Sequence, residues 1–410
     1  MRRNKNRVLT THTGRLANPS VVDEVTRARA EGNQTRWDEL VKAGIGEVVR
    51  KQVQLGNDVH SDGEFYKVRD QKYYDSRVTG VEYRPLKPGE GPSIVTINRE
   101  RKGPEFQEFW SIYDKVGNTP RPGVVNPVQT QRSVIRGPLE YLGQDAIKHE
   151  LEVASAGIKA ARAKVSDFFY PILGPGWLGH FLWNEYYKTE EEWVYAMAEM
   201  LKGEFQAVLD AGFELQIDDP GLCDKFGLFD PALTVPQYRK HAALRIEATN
   251  YMLKGMPADN IRYHTCWGSW HTPHTLDIPF KHVIDLLLKV NVSIYSVEAA
   301  DARHQLDWKV WLDHKLPAGK VYEPGVVAHK TSTVEPAELV ADRIMTYAKL
   351  MGRENIIAST DCGYGNRTYP DIGWAKMRSV NAGAKLASKA LWAKGGSKPA
   401  ARGKATRSKR

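Results

Sequence analysis

Three short runs of this 410-residue sequence put metal-binding residue types close together. RYHTCWG holds His264 and Cys266 as an H-x-C pair, YSVEAAD holds Glu298, and STDCGYGNR holds Cys362. On an extended strand, alternation with period two turns His264 and Cys266 to the same face. Two thiolates, an imidazole and a carboxylate make a mixed sulfur, nitrogen and oxygen donor set suited to zinc. Taken singly, either cysteine reads more readily as a small buried hydrophobe, which free cysteines commonly are; it is the four ligand types together that favour a metal. Other ionisable residues end other apolar runs: Asp62 and Glu64 in DVHSDGE, Asp218 and Asp219 in LQIDDP. Unpaired in an interior they would be costly, so their recurrence at such positions asks for a compensating ligand.

The elements that must position these residues follow from periodicity. Short β-branched runs at 8–14, 58–64, 166–174, 213–219, 261–266, 292–298, 320–327 and 355–361 read as strands. Helical spacing recurs at 37–55, 144–164, 189–211, 236–253, 280–288 and 334–351. The stretch 189–211, for example, places Trp193, Met197, Met200, Leu201 and Phe205 on one stripe. Eight strands with intervening helices give the α/β class and the strand count of a (β/α)8 TIM barrel, one catalytic domain over 1–394. An open doubly wound sheet is the rival, but no glycine-rich phosphate loop follows the first strand. In a barrel all the polar strand ends share the C-terminal face, where active sites are assembled. The stretch 83–138, rich in Pro, Gly and charge, reads as a long insertion after the second strand, covering a mouth of the barrel or pairing as a hairpin.

Composition narrows the function classes. Lys and Arg total 58 against 49 acids, a formal charge of +9. Residues 388–410 carry eight basic residues and no acid, leaving 50 against 49 elsewhere. The basic balance therefore belongs to one tail, and 395–410 has the composition of a disordered segment. With Trp392 as its lone aromatic, that tail argues against specific nucleic-acid binding. No apolar run is long enough for a membrane span. Three cysteines are too few for a disulfide framework, and the N-terminal residues lack the apolar core of a secretory signal, so a cytoplasmic location is expected.

These same segments resemble the cobalamin-independent methionine synthase family over nearly the whole chain outside the tail. RYHTCWG, YSVEAAD and STDCGYGNR resemble its zinc-binding set, which would fall on His264, Cys266, Glu298 and Cys362. VHSDGEFYKVRD and LQIDDPGL resemble the segments that hold the amino acid substrate, which gives Glu64 and Asp218 that role. TTHTGRLANP and YPILGPGWLGHFLWNEYY resemble the first and third strands with their loops. The chain departs from the pattern at Arg15, where the family often has Ser in a substrate-contacting loop, and at Asp219, where it usually has Glu. In GVVAHKTSTVE, Ala328 replaces an Asp, while His329 and Lys330 fall on or beside the family's polar position and would inherit a proton-donating role. The length matches single-barrel relatives, which include epoxyalkane:coenzyme M transferase.

The resemblance implies a zinc-dependent transferase that binds a thiol as the metal-bound thiolate and alkylates it, with methyl transfer to homocysteine the leading reaction. Addition of a thiol to an epoxide, or the reverse C–S lyase step, uses the same metal and a different electrophile. The alkyl donor is a folate, a methylcorrinoid protein or an epoxide. Glu64 and Asp218 suit an ammonium group, whereas Arg15, Lys67 or Arg69 suit an anionic one such as a sulfonate; the carboxylates read equally as caps or ion-pair partners of those cations. Trp177, Trp267 and Trp270 fall in mouth loops, where they either stack on a ring-shaped donor or pack the rim. His12, His60, His180, His271 and Cys223 receive no role.

Overall fold

The computed structural model describes residues 3–68, 71–91, 99–116, 130–365 and 367–393. Nine strands are defined among them: β1 (Val59–His60), β2 (Val81–Pro85), β3 (Gln131–Ile135), β4 (Asp167–Leu173), β5 (Leu182–Asn184), β6 (Glu214–Asp218), β7 (Ile261–Thr265), β8 (Ile294–Val297) and β9 (Val321–Pro324). Six of these form a parallel sheet in the order β1-β4-β6-β7-β8-β9. Strands β7, β8 and β9 are buried along their full length, as expected of parallel strands covered on both faces.

The sheet curls, and two irregular segments reach its edges. The Asp58 and Val59 amides donate to the Thr10 carbonyl beside β1. At the other edge, Ile356 bridges Tyr322 and Ser359 bridges Gly325, both in parallel sense. The two segments meet each other where Thr10 bridges Ala358. This is an α/β fold with a curled six-stranded half-barrel, consistent with a TIM-like barrel. Its interior is partly polar: fully buried Arg262 pairs with Glu214 at 2.7 Å and Glu323 at 3.1 Å, and lies over the Phe169 ring. The two acids come from β6 and β9, so the cation is not left unpaired in the interior.

Helices α1 (Val22–Ala30), α2 (Gln34–Leu55), α3 (Arg99–Lys102), α4 (Gln107–Val116), α5 (Gln144–Ala160), α6 (Pro175–Leu178), α7 (Glu190–Asp210), α8 (Val235–Met252), α9 (Ile284–Leu287), α10 (Ala337–Met351) and α11 (Pro370–Leu391) complete the order. Their ends follow local chemistry. Asn33 caps α2 by accepting from the Arg36 amide, and Gly56 at φ 90° stops it in a left-handed conformation. Thr189 caps α7 ahead of three glutamates, and Thr234 with Gln237 closes a capping box on α8. Trp37, Leu40, Val41, Ile45, Val48 and Val49 make the buried stripe of α2. Among the described residues no helix is long and apolar enough to cross a membrane.

Strands lie near both ends of the stretch 83–138. β2 runs antiparallel to β3, from Val81 opposite Ile135 to Pro85 opposite Gln131. β3 then takes β5 as a parallel neighbour, making a second sheet of order β2-β3-β5. The ladder starts at Val81, two residues before the Pro- and Gly-rich composition begins. Residues 92–98 and 117–129 of this stretch, and the tail 395–410, lie outside the described residues.

Candidate metal centre and cleft

Parallel pairing aligns the C-terminal ends of β6, β7 and β8, so the residues there face one mouth. His264 lies on β7 and Cys266 one residue past its end; Cys362 follows the segment that bridges β9. One donor atom from each of His264, Cys266 and Cys362 lies within 4.8 Å of the other two. His264 and Cys266 are buried, while Cys362 is half-buried and opens the group to the cleft. The two thiols share one network. Hydrogen bonding from Cys266, aided by His264, holds the Cys362 thiol well below the ordinary range against the effect of burial. The same contact and burial push Cys266 up. Ser269 Oγ lies 3.2 Å from Cys362 Sγ. The soft sulfur and imidazole donors, their spacing and the thiolate character of Cys362 fit a zinc ion.

Glu298 is placed differently. It follows β8 and is buried, but its carboxylate groups with His329 and Asp361 rather than with the His-Cys-Cys set. Its Oε2 accepts from the Trp267 amide at 2.9 Å and its Oε1 from Lys330 Nζ at 2.7 Å. His329 is fully buried, and neither ring nitrogen has a hydrogen-bond partner among the described residues. Burial drives its pKa well below the ordinary imidazole value, which keeps the ring neutral. Asp361 accepts three backbone amides, Ala299 and Ala300 at 2.8 Å and Asp301 at 2.7 Å. It thereby ties the chain after Glu298 to the chain before Cys362. Gly325 makes room for this: a Cβ there would stand 1.9 Å from Asp361 Oδ1.

The donors open onto a cleft of about 230 Å³ whose walls include Arg15, Trp177, Asp218, Ser269 and Arg367. Asp218 accepts from Gln216 Nε2 at 2.6 Å. Glu64 stands behind Gly14, with Oε1 3.9 Å from where a Gly14 Cβ would be. It holds φ 54°, a conformation costly for a residue with a side chain and often found at functional sites. The Arg15 guanidinium donates to the Phe65 carbonyl. Of the other cations expected near an anionic group, Lys67 pairs with buried Asp62 at 2.9 Å and lies 3.3 Å from the Tyr170 ring centre, so it faces away from that task. Arg69 lies outside the described residues. A larger cavity of about 560 Å³, bordered by Trp37, Tyr73, Arg77 and His149, contains none of the candidate donors.

The three mouth tryptophans differ. Trp177 lines the cleft and faces Trp270, with centroids 6.2 Å apart. Trp267 is buried, donates from Nε1 to the Ile278 carbonyl and stacks on His304 at 3.7 Å. Cys223 is fully buried, and burial pushes its thiol well up, in keeping with a spectator. Sequence reasoning missed Ser269, Arg367 and the tethering role of Asp361. The last had a signal, since Asp361 immediately precedes Cys362 in the same short motif.

A parallel α/β sheet whose strand ends gather imidazole, thiols and carboxylates around one cleft has the layout of a barrel enzyme. Residues 183–385 match the family model described as cobalamin-independent synthase, catalytic domain. A methionine synthase of Saccharolobus solfataricus is 22% identical over 94% of this chain and 96% of its own. The methionine synthase of Thermococcus kodakarensis is 20% identical over 79% and 76%. The B12-independent methionine synthase of Shewanella sp. W3-18-1, solved with selenomethionine, superposes with TM-score 0.64 at 16% identity, covering 93% of this chain and 98% of that one. A putative vitamin-B12 independent methionine synthase of Listeria monocytogenes gives 0.61 at 19%, covering 93% and 99%. Over residues 183–385 the chain resembles the catalytic domain of the cobalamin-independent methionine synthase family, and its fold is that of the solved B12-independent methionine synthases.

Proposed function

We propose that this chain is a zinc-dependent thiol alkyltransferase whose reaction is methyl transfer to homocysteine, carried out in an eight-stranded (β/α)8 barrel. The observation that carries the reading is the convergence of His264, Cys266 and Cys362 at a cleft bordered by Asp218 and Arg15. Zinc bound to these donors would lower the pKa of a coordinated thiol and so supply a thiolate near neutral pH. The chain's own groups orient the substrate. Asp218 and Glu64 suit the ammonium of an amino acid, and Arg15 with Arg367 suits its carboxylate. Trp177 closes one wall and limits access of water. The sulfur then attacks the methyl carbon, the carbon–donor bond breaks, and its electron pair leaves with the donor. His329, neutral and buried, and Lys330 would handle a proton on the donor side. That a relative was solved with selenomethionine supports a thioether amino acid as the product class. We place the protein in the cytoplasm, where its thiol donors stay reduced.

A second reading is favoured by one observation: two arginines, Arg15 and Arg367, line the cleft. That suits a sulfonate thiol such as coenzyme M adding to an epoxide. Zinc content of the wild-type protein and of Cys362→Ser, measured with a thiol titration, decides between them. About one zinc per chain, lost in the variant, is the expected result. Metal–sulfur coordination that changes on adding homocysteine but not coenzyme M supports the first reading, and the reverse preference supports the second. Wild-type protein free of zinc under reducing conditions would sink both.

A further inference from the structure

The cavity of about 560 Å³ lies apart from the metal centre and its cleft, with which it shares no lining residue. Helices α1, α2 and α5 bring Arg29, Trp37, Ala146 and Glu150 to it, and the segment before β2 brings Tyr73 and Arg77. Its size is that of a small-molecule pocket. Part of the wall is already charge-balanced and fixed. Arg77 Nη2 stands 2.5 Å from Glu150 Oε1, its Nη1 donates to Tyr73 Oη at 2.7 Å, and Tyr73 Oη donates to buried Glu204 at 2.5 Å. Such a network holds the cavity in one shape, which lowers the cost of ordering it around a ligand.

Two donors bordering the cavity lack acceptors. The exposed Arg29 guanidinium lies 5.2 Å above the Trp37 ring and makes no ion pair or side-chain hydrogen bond among the described residues. Trp37 Nε1 is buried and has no acceptor there either. An indole face holds a guanidinium in place while leaving its planar fork of N–H groups to bind something else, and that fork matches a carboxylate. We propose that the cavity binds a small organic carboxylate, with its charged end on Arg29 and a flat apolar body along Trp37, Tyr73 and Ala146. A phosphate fits less well, because Asp145 and Glu150 on α5 border the same space and would repel its second charge. Nothing in this site depends on the zinc reading.

The test is calorimetric titration of the full-length protein with 2-naphthoate and with its uncharged twin, 2-naphthamide. The carboxylate should bind saturably with a Kd of about 1 mM or tighter, and the amide at least about tenfold more weakly. Arg29→Gln should cost the carboxylate about tenfold or more and bring the two compounds level. Ala146→Trp, which fills the space and leaves the charges alone, should remove binding of both. Arg367→Gln, in the cleft, should leave the carboxylate within about twofold of wild type. The proposal is overturned by wild type that shows no saturation, by an Arg29→Gln titration equal to wild type, or by loss in Arg367→Gln instead. Displacement of 2-naphthoate by an equal concentration of inorganic phosphate would also overturn it, as the mark of a general anion site. Arg29 is exposed, so its variant should fold whatever the cavity does, and it decides the question even if Ala146→Trp does not fold. Zinc content plays no part in these titrations, so failure here and failure of the zinc reading are told apart.

Discussion

Asp361 shows how much one side chain carries here. It is fully buried, and its three amide donors come from Ala299, Ala300 and Asp301, directly after Glu298. Burial and the neighbouring charge of Glu298 push its pKa up to about 8 against the pull of these amides, and an amide side chain that keeps the Ala299 and Ala300 bonds would turn its N–H toward the Asp301 amide. Asp361→Asn should therefore destabilise the fold by about 3 kcal/mol, read as a lowered urea midpoint at unchanged slope. Because Cys362 is the next residue, zinc affinity should fall as well, while Asp361→Glu should restore neither, since its longer arm meets Gly325 and the amides at the wrong depth. At the substrate end, Glu64→Gln keeps the backbone and removes the charge. With homocysteine as the thiol, KM should rise about tenfold with kcat little changed, the result expected for a group that binds the ammonium equally in ground and transition states. Equal KM values would remove Glu64 from the substrate site.

Among the elements, the loop after β8 is locked to the loop after β7 by His304. Its Nε2 lies 2.9 Å from Asp277 Oδ2, and its Nδ1 lies 2.9 Å from Asp307 Oδ2. Carboxylates only accept, so both nitrogens donate and the ring carries its charge. Burial works against that charge, but the two acids outweigh it and raise the pKa to about 9; Asp277, despite burial, is drawn down to about 2 by His274 and His304. The histidine is raised above its unfolded value near 6.5, so its contribution is full below that pH and is lost as pH climbs through 9. The aspartate contribution is present above its unfolded value and disappears as pH drops through 2. In denaturant unfolding under reducing conditions, the stability gap between wild type and His304→Asn should be up to about 3 kcal/mol near pH 6 and should shrink toward pH 9.5. A constant gap would mean that stacking on Trp267, not charge, holds the loops together. Most elements were legible in advance. The strand at 261–266 and the helix at 189–211 declare themselves by alternation and by an apolar stripe, because their neighbours are covered on known faces. What was hidden depends on contacts distant in sequence. β5 is three residues long and is recruited by β3 from beyond the main sheet, and Lys330 finds Glu298 across 32 residues and two strand ends. His264, Cys266 and Cys362 were readable because their spacing on or beside strands fixes their direction. The partner of Glu298 was not, since no local pattern states which cation a loop will deliver.

For the molecule as a whole, charge is divided between a nearly neutral body and one basic end. Removing 395–410 takes away six positive charges and leaves a formal charge of +3. The donors His264, Cys266 and Cys362 belong to the sheet and its bridging segments, and the last described helix, α11, ends at Leu391, ahead of the deletion. The truncated protein should therefore keep its zinc stoichiometry, its thiol response and its urea midpoint. What should change is retention on a polyanion such as heparin or a polynucleotide. That attraction comes from release of condensed counterions, so for the full chain it should weaken steeply with salt, and for the truncated chain it should be small at every salt concentration. If truncation instead lowered zinc affinity or the thiol response, the tail would be acting on the cleft mouth. The division into a catalytic body and an electrostatic appendage would then be wrong. Equal salt-dependent retention by both proteins would move the polyanion contact onto the body, where residues on its surface, not the tail, would have to supply it.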